Sequence, residues 1–214
     1  MALTVLKSAF TKLGNEIQLI MSGNYLVSDR KALIIGVFHG DEPQGKYLID
    51  KYLNNYVSNK LFIPCLNPDG MRLNQRTNSN GVDLNRNFPT KNWGEDTSAA
   101  GDNPENYYGG KMPASEIETK FIIDVIEEYK PDVILSLHAP YKVVNYDGPA
   151  KNIAKQISDI IGYPVEASIG YPTPGSFGTY CGVERNIPTI TLELDEDIPV
   201  SELEASVFKI FDLI

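Results

Sequence analysis

Apolar residues along the chain form short runs that alternate with segments of helical spacing. The runs are rich in β-branched and aromatic residues and predict strands, whereas apolar residues that recur every three or four positions predict helices. The strands are expected at 17–22, 32–38, 61–66, 132–138, 142–146 and 189–194, and the helices at 43–55, 115–129, 150–161 and 200–213. Because strands alternate with helices, we predict an α/β fold with a mixed, mostly parallel β-sheet flanked by helices.

The helix at 115–129 has signals at both ends. Ser115 and Glu118 have the spacing of a capping box, in which each side chain accepts a hydrogen bond from a backbone N–H of the first turn. Pro131 cannot continue a helix, because it lacks the backbone N–H and its ring clashes with the preceding turn. We therefore expect the helix to begin at Ser115 and to end before Pro131.

Residues 67–113 have no sustained hydrophobic period and are rich in Asn, Gly, Pro and Asp. A segment of this length without regular structure is usually either disordered or functional. Large apolar residues distributed through it favour order: Leu84, Phe88, Trp93, Tyr107 and Tyr108. We predict a long ordered loop that lines a site. No repeat, low-complexity tract or linker interrupts the sequence, so residues 1–214 are predicted to form a single domain.

The amino-acid composition mainly indicates which kinds of binding partner the protein does not have. The formal net charge of −9 at pH 7 argues against the basic face that a nucleic-acid-binding protein needs. Two interpretations of the acidity remain, the ordinary surface of a globular protein and a site that attracts a cationic substrate. Cys65 and Cys181 are too few for a disulfide framework and form no C-x-x-C motif. Cys65 lies in the apolar run LFIPCL and is interpreted as a small buried residue.

The N-terminal residues MALTVLKSAFTKLGNE contain no basic region followed by a continuous apolar stretch, so we expect no signal peptide. No apolar stretch reaches the ~18 residues that a membrane-spanning helix requires. The resulting expectation is a cytoplasmic protein that does not bind membranes. A monomer and a homodimer are both compatible with the sequence.

Both histidines of the chain lie at the carboxyl ends of predicted strands. His39 directly follows one strand and His138 ends another, and ligands bind at this edge in open α/β sheets. Glu42 follows His39 at H-x-x-E spacing. Zn²⁺ prefers imidazole nitrogen and carboxylate oxygen, and catalytic sites use three protein ligands. His39, Glu42 and His138 are therefore candidate zinc ligands. The alternative for Glu42 is an ordinary acid in the first turn of the next helix, where the helix dipole favours it.

Glu193 lies in the predicted strand TITLEL with apolar neighbours on both sides. Buried glutamates are rare unless they are paired or functional, and burial raises the pKa of a carboxyl group toward the range useful for a general base. A zinc hydrolase needs such a base to take a proton from the attacking water. Glu193 is therefore a candidate base. The alternative is a strand acid that points outward to solvent.

Arginines in the irregular segment could handle an anion. Arg76 lies in NQRTN, and Asn85 and Arg86 lie together in GVDLNRNFP. An arginine can bind a carboxylate with two parallel hydrogen bonds or stabilise an oxyanion. The alternative for each is a solvated surface arginine, and that interpretation is kept for Arg72.

Six motifs in this order resemble the zinc carboxypeptidases of the metallocarboxypeptidase superfamily, over residues 31–197: HGDE, NPDG, GVDLNRNFP, SLHAP, PTPGSFGTY and TLEL. The bacterial murein peptide amidase branch, which cleaves the γ-D-glutamyl–meso-diaminopimelate bond in cell-wall peptides during peptidoglycan recycling, is the most similar. The resemblance implies a zinc-carboxypeptidase-like fold (phosphorylase/hydrolase-like). It also implies one zinc ion per chain held by His39, Glu42 and His138, with Glu193 as the base that activates water. Asp41, between two of these ligands, is excluded from the metal.

The resemblance also implies roles for residues around the metal. Asp83 would accept a hydrogen bond from a zinc-binding histidine. Arg76 would polarise the scissile carbonyl and stabilise the oxyanion. Asn85 and Arg86 would hold the terminal carboxylate of the substrate. Tyr180 is the candidate for the mobile tyrosine that binds substrate in this family.

The substrate side chain is the least determined feature. Diaminopimelate carries an ammonium and a second carboxylate at the far end of its side chain, so its pocket would need an acid for the ammonium. The run Asp195-Glu196-Asp197 could supply this acid. The alternative is that the run is simply a solvated, acidic strand end.

The predicted function is that of a zinc metallopeptidase that acts on murein tripeptide or similar small peptides. One alternative on the same scaffold is a conventional metallocarboxypeptidase, and another is an N-acyl amino acid deacylase. The motifs NPDG and GVDLNRNFP fit the peptidase branch better. An alternative of another class is a non-catalytic peptide-binding protein. Against it stands the presence of all three candidate ligands and the base.

Overall fold

One mixed β-sheet is the centre of the fold. The computed structural model describes residues 3–23, 31–95, 104–167 and 170–214. Within these ranges the sheet has eight strands. They are β1 (Thr4–Phe10), β2 (Glu16–Met21), β3 (Ala32–Ile35), β4 (Leu61–Ile63), β5 (Val133–His138), β6 (Val143–Asp147), β7 (Val165–Glu166) and β8 (Thr189–Glu193). The spatial order is β1-β2-β4-β3-β5-β8-β6-β7.

The strand directions bring three carboxyl ends together. Strands β4, β3, β5 and β8 are parallel neighbours, whereas β1 and β2 are antiparallel at one side and β6 runs antiparallel to β8 at the other. The carboxyl ends of β3, β5 and β8 therefore lie side by side at one edge. The mixed, mostly parallel sheet expected from the sequence is confirmed.

Helices cover both faces of the sheet. They are α1 (Gln44–Asn55), α2 (Pro68–Leu73), α3 (Ile117–Tyr129), α4 (Lys151–Ile161) and α5 (Glu204–Leu213). Alternate residues of a central strand face opposite cores: Ile34 packs in the cluster formed with α1, α4 and α5, and Leu33 and Ile35 pack in the cluster formed with α3. A strand buried on both faces must be apolar at every position. This is why β3 appears in the sequence as a continuous apolar run.

Two strands were not predicted from the sequence. Strand β1 is a half-exposed edge strand in which Lys7 and Ser8 interrupt the apolar pattern. Strand β7 has only two residues, Val165 and Glu166. Neither strand contains the continuous apolar run or the clean alternation by which the other strands were identified.

The predicted loop at 67–113 contains a helix. Asn67 caps α2, because its side chain accepts a hydrogen bond from the Gly70 N–H, and Pro68 occupies the first helical position. The rest of the segment, as far as it is described, is irregular apart from short 3₁₀ turns at Leu84–Arg86 and Pro104–Tyr107. Residues 96–103 of this segment lie outside the described residues. The expectation of a structureless segment was therefore wrong at α2.

The predicted capping box of α3 is also wrong. The helix begins at Ile117, and its N-cap residue Glu116 makes no side-chain capping bond. The Ser115 hydroxyl instead donates to a carboxylate oxygen of Glu116 at 2.6 Å. The predicted end is confirmed, since Lys130 takes a left-handed conformation (φ 48°) immediately before Pro131. At the other end of the chain, a 3₁₀ turn at 200–203 precedes α5, so that α-helix starts later than expected.

The two cysteines are buried and form no disulfide, as the interpretation of Cys65 required. In the described part of the chain, none of the helices combines the length and the apolar character needed to cross a membrane.

Candidate metal centre

Three buried side chains converge at the edge where β3 and β5 end. His39 Nδ1 lies 2.8 Å from Glu42 Oε1, His138 Nδ1 lies 3.1 Å from Glu42 Oε2, and the two Nδ1 atoms are 3.3 Å apart. Donor atoms about 2.0–2.1 Å from a tetrahedral zinc are about 3.3 Å from one another. The spacing and the chemistry of the set, two imidazoles and one carboxylate, therefore fit zinc.

A tight turn after β3 carries His39 and Glu42. Val37 takes a left-handed conformation in this turn (φ 52°), which is rare for a β-branched residue and stores strain next to the site. Gly40 packs so closely on α2 that a Cβ atom there would collide with the backbone of Gly70. Its N–H donates to the Arg76 carbonyl at 3.3 Å. The turn is thus fixed from both sides.

Strand pairing places His138 beside Glu193. The two residues are register partners at the ends of β5 and β8. The His138 ring stacks on Phe38, with ring centroids 5.2 Å apart, and its carbonyl accepts from the Leu194 N–H at 2.8 Å. Backbone hydrogen bonds and ring packing therefore hold this part of the site.

Asp83 connects the three candidate metal ligands to the irregular segment at 67–113. One carboxylate oxygen lies 3.2 Å from His39 Nε2, and the other accepts from Arg76 Nε at 3.2 Å and Nη2 at 3.1 Å. Burial opposes the ionisation of Asp83, but the charges of Arg76 and His39 outweigh it and hold the pKa of the carboxyl well below its usual range. A charged acceptor on the far nitrogen fixes the ring so that Nδ1 faces the other ligands.

The electrostatics of the cluster favour a cation. Burial and a neighbouring guanidinium lower the pKa of His39, but the carboxylates of Glu42 and Asp83 outweigh both and raise it to about 9. Burial alone would raise the pKa of Glu42, but the two histidines hold it well below its usual range. These carboxylates thus favour positive charge between them, and a divalent metal supplies it.

Two arginines lie near the candidate metal ligands. Arg76 Nη1 lies 3.5 Å from Glu42 Oε1. Arg86 is 2% exposed, and its Nη1 donates to the Asn85 carbonyl. Its Nε and Nη2 have no hydrogen-bond partner among the described residues. Both guanidinium groups lie over the ring of Tyr107, 5.1 and 5.5 Å from its centroid. Two unsatisfied N–H groups in a buried fork are suited to binding a carboxylate.

Asn85 connects the segment to the loop before β8. Its side-chain oxygen accepts from the Phe177 N–H at 2.8 Å. Together with Glu193 it lines a cavity of about 110 Å³. The structure thus places Asn85 at the rim of the space beside the candidate base.

Glu193 is buried, and its Oε2 has no hydrogen-bond partner in the part of the chain that the structure describes. Burial raises the pKa of Glu193, although the nearby His138 acts in the opposite direction. A carboxylate with an unpaired oxygen and a raised pKa can accept a proton and release it again.

Tyr180 does not fit the role expected from the sequence. Its side chain is 1% exposed and packs in the α3-side core between Phe88 and the guanidinium of Arg185. It is absent from the residues that line the cavity at Glu193, whereas Tyr171 is among them. Burial raises the pKa of Tyr171 to about 12, although the positive charge of Arg86 lowers it. Tyr171 thus lies at the cavity beside Glu193, whereas Tyr180 does not.

Of the two interpretations of the acidic run after β8, the solvated strand end fits the structure, because Glu196 and Asp197 are exposed. Asp195 and Asp197 pair with the ammonium of Lys142 at 3.2 and 2.9 Å, and none of the three acids of the run lines the cavity. Besides Glu193, the acid that lines it is Asp147, at the end of β6. Its only signal in the sequence was an acid at a strand end.

Comparisons with known proteins agree with this arrangement. A sequence profile described as zinc carboxypeptidase matches residues 12–159. Murein peptide amidase A of Escherichia coli (strain K12) is 34% identical over 188 residues, which cover 84% of this chain and 76% of the relative. Murein peptide amidase A of Vibrio campbellii (strain ATCC BAA-1116) is 35% identical over 177 residues, which cover 78% of this chain and 70% of the relative.

Solved structures share the fold. The crystal structure of murein-tripeptide amidase from Escherichia coli O157 superposes with a TM-score of 0.81 and 26% identity, and the match covers 100% of this chain and 91% of the other. Thrombin activatable fibrinolysis inhibitor matches with a TM-score of 0.76 over 98% of this chain and 69% of its own, at 17% identity. The second likeness concerns the fold alone. The predicted zinc-carboxypeptidase-like fold is confirmed.

Proposed function

This chain belongs to the zinc carboxypeptidase family and is a zinc metallopeptidase, and we propose that it hydrolyses the γ-D-glutamyl–meso-diaminopimelate bond of small murein peptides. The names of the relatives support the substrate class. One observation carries the proposal. The candidate ligands His39, Glu42 and His138 and the unpaired Oε2 of Glu193 lie at the same edge of the sheet. A metal-binding set and a base at one site are the minimum for metal-assisted hydrolysis.

His39, Glu42 and His138 would hold one zinc ion per chain. When bound, zinc supplies Lewis acidity toward a water molecule and a carbonyl oxygen. Asp83 keeps the His39 ring in the orientation that directs Nδ1 toward the other two ligands. The three side chains are buried, and burial strengthens the electrostatic interactions within the site.

Glu193 acts as the general base. Its Oε2 takes a proton from the water that attacks the scissile carbonyl, and the same carboxyl then donates that proton to the nitrogen of the leaving amine. Both steps need a carboxyl whose pKa lies above the usual value, and burial supplies this shift. As the group returns to its initial ionised state, one turnover consumes one water and one peptide bond.

The arginines bind and stabilise charge. Arg76, held by Asp83, faces the metal cluster and stabilises the oxyanion that forms when the carbonyl is attacked. The unpaired Nε and Nη2 of Arg86 bind the terminal carboxylate of the substrate, with Asn85 beside them. Tyr171, whose raised pKa keeps its hydroxyl protonated, donates a hydrogen bond to substrate in the place first assigned to Tyr180.

Hydrolysis of L-Ala-γ-D-Glu-meso-diaminopimelate by the zinc-loaded protein tests the proposal. We expect release of free diaminopimelate, detected by chromatography. Matched controls are an α-linked dipeptide and an N-acyl amino acid, which report the conventional carboxypeptidase and the deacylase. Cleavage of a control alone assigns the chain to that rival activity. Tight binding of the tripeptide with no cleavage of any compound favours the peptide-binding protein.

A further inference from the structure

One aromatic side chain of the irregular segment lies against both arginines of the site. Tyr107 is partly buried at the end of its 3₁₀ turn. The Cζ atom of Arg76 lies 5.1 Å from the centroid of the Tyr107 ring, and that of Arg86 lies 5.5 Å from it. The ring also meets Tyr171 edge-on, with the two centroids 6.5 Å apart. Tyr107 therefore contacts three residues to which the proposed mechanism gives a role.

The two arginines differ in what else holds them. Arg76 donates two hydrogen bonds to the carboxylate of Asp83. Arg86 forms no ion pair with any described residue, and the hydrogen bond of its side chain goes from Nη1 to the Asn85 carbonyl at 2.7 Å. The face of an aromatic ring attracts a guanidinium within about 6 Å. The ring of Tyr107 should therefore matter more to Arg86 than to Arg76.

The backbone after Tyr107 is held against the 3₁₀ turn that bears Arg86. The carbonyl of Tyr108 accepts a hydrogen bond at 2.8 Å from the N–H of Asp83, the N-cap residue of that turn. A Cβ atom at Gly109 would collide with the carbonyl of Arg86, so the two backbones are in close contact. The position of the Tyr107 ring relative to Arg86 is thus set by backbone packing.

We infer that Tyr107 is a positioning residue, whose ring holds the guanidinium of Arg86 so that the free Nε and Nη2 donors face the terminal carboxylate of the substrate. This inference rests on the proposed peptidase function and adds a residue to its carboxylate-binding site. A long side chain loses rotamer freedom when it binds, and a contact that fixes it beforehand strengthens binding. Because Arg76 keeps its bonds to Asp83, loss of the ring should raise KM and leave kcat nearly unchanged.

Replacement of the ring tests the inference on the zinc-loaded protein with L-Ala-γ-D-Glu-meso-diaminopimelate as substrate. We expect Tyr107→Leu to raise KM about tenfold, the usual range for one cation–π contact of a buried guanidinium, and to keep kcat within about threefold of wild type. Tyr107→Phe keeps the ring face and should return KM to within about threefold of wild type. An unchanged KM in Tyr107→Leu, or an equal rise in Tyr107→Phe, would overturn the inference.

Tyr108→Leu is the matched control. Tyr108 lines the same cavity of about 710 Å³ as Tyr107 and Arg86, but it is 45% exposed, and no guanidinium of the described residues lies over its ring. This variant should keep the wild-type KM, and a tenfold rise would contradict a specific role of Tyr107. On a tripeptide amidated at its C-terminus, Tyr107→Leu and the wild type should have KM values within about threefold of each other. A tenfold difference on the amide would show that the ring does not act through the carboxylate.

A double-mutant cycle separates positioning from a general loss of structure. In an Arg86→Met background, Tyr107→Leu should change KM by no more than about threefold, because the group that the ring positions is gone. A full tenfold rise in that background would overturn the inference. Tyr107→Met is a second variant without a ring and should behave as Tyr107→Leu, and the midpoint of denaturant unfolding is measured for every variant.

Failure of the proposed function can be distinguished from failure of this inference. If the wild type cleaves only the α-linked dipeptide, the proposed bond is wrong, and the same comparison on that dipeptide tests Tyr107, because this peptide also ends in a free carboxylate. If no peptide is cleaved, the Kd of the tripeptide, measured by calorimetry, replaces KM. An unchanged Kd in Tyr107→Leu would overturn the inference, and so would the absence of binding to the wild type.

Discussion

His138 and Glu193 are register partners on adjacent parallel strands. One is a candidate metal ligand and the other the candidate base, so the distance between metal and base is set by the backbone hydrogen bonds of the sheet. The turn that bears His39 and Glu42 is fixed by close packing on α2. The candidate catalytic groups therefore lie on rigid elements, as a preorganised site requires.

Replacement of His39 should remove the metal. Purified wild type is expected to contain about one zinc per chain, and His39→Ala should contain little, because the remaining ligands cannot complete a three-ligand site. Metal analysis by mass spectrometry measures this. Asp41→Ala is the matched control, since Asp41 is exposed in the same turn. Zinc loss in the control, or full zinc content in His39→Ala, would contradict the assigned ligands.

Glu193→Gln should abolish turnover without removing zinc. Glutamine preserves the shape of the side chain but cannot accept the proton, so kcat should fall by about 10²–10⁴-fold. Tripeptide hydrolysis and zinc content are measured on the same preparation. Glu196→Gln, three residues away and exposed, should behave as wild type. A fully active Glu193→Gln variant would exclude this residue as the base.

Arg86→Lys should weaken the binding of the substrate carboxylate. Lysine keeps the charge but not the planar fork, so a bidentate contact becomes a single one. We expect KM for the tripeptide to rise about tenfold or more, with Arg72→Lys, an exposed arginine, as the control. A tripeptide amidated at its C-terminus should be poor for both the wild type and Arg86→Lys. If Arg86→Lys raised KM for the amidated tripeptide as much as for the free acid, a contact between Arg86 and the substrate carboxylate would be ruled out.

Glu118→Gln should stabilise the protein at alkaline pH. Glu118 is 2% exposed, accepts a hydrogen bond from Asn78, and burial raises its folded-state pKa from 4.5 to about 7. The protonated form is thus favoured by folding, so stability is full below pH 4.5 and is lost as pH rises to about 7. Glutamine avoids this loss, which is up to about 3 kcal/mol.

Denaturant unfolding at pH 4.5 and pH 8 measures this effect. The free energy of unfolding of Glu118→Gln should exceed that of the wild type at pH 8 and be close to it at pH 4.5. Glu127→Gln is the control on α3, where the side chain is exposed. An equal difference at both pH values would indicate a packing effect and not a shifted pKa.

The sequence alone determined the central sheet and the edge at which the candidate metal ligands and the candidate base meet. His39, His138 and Glu193 could be identified because each lies at the end of a strand whose apolar run is visible, and parallel strands bring their carboxyl ends to one edge. Arg86 was expected at the site from its motif. Its buried, unpaired donors could not be predicted, because they depend on how the segment packs on Tyr107 and Asn85.

Only the tertiary structure decided where certain side chains point, because no local sequence pattern indicates this. Tyr180 lies close to Tyr171 in sequence, but one side chain enters the core and the other lines the cavity. Asp195 lies two residues after Glu193 and yet pairs with Lys142, whereas Asp147 lines the cavity from another strand. A cavity is formed by residues far apart in the chain, so its lining follows from packing between elements. Periodicity reports only the face of a single element.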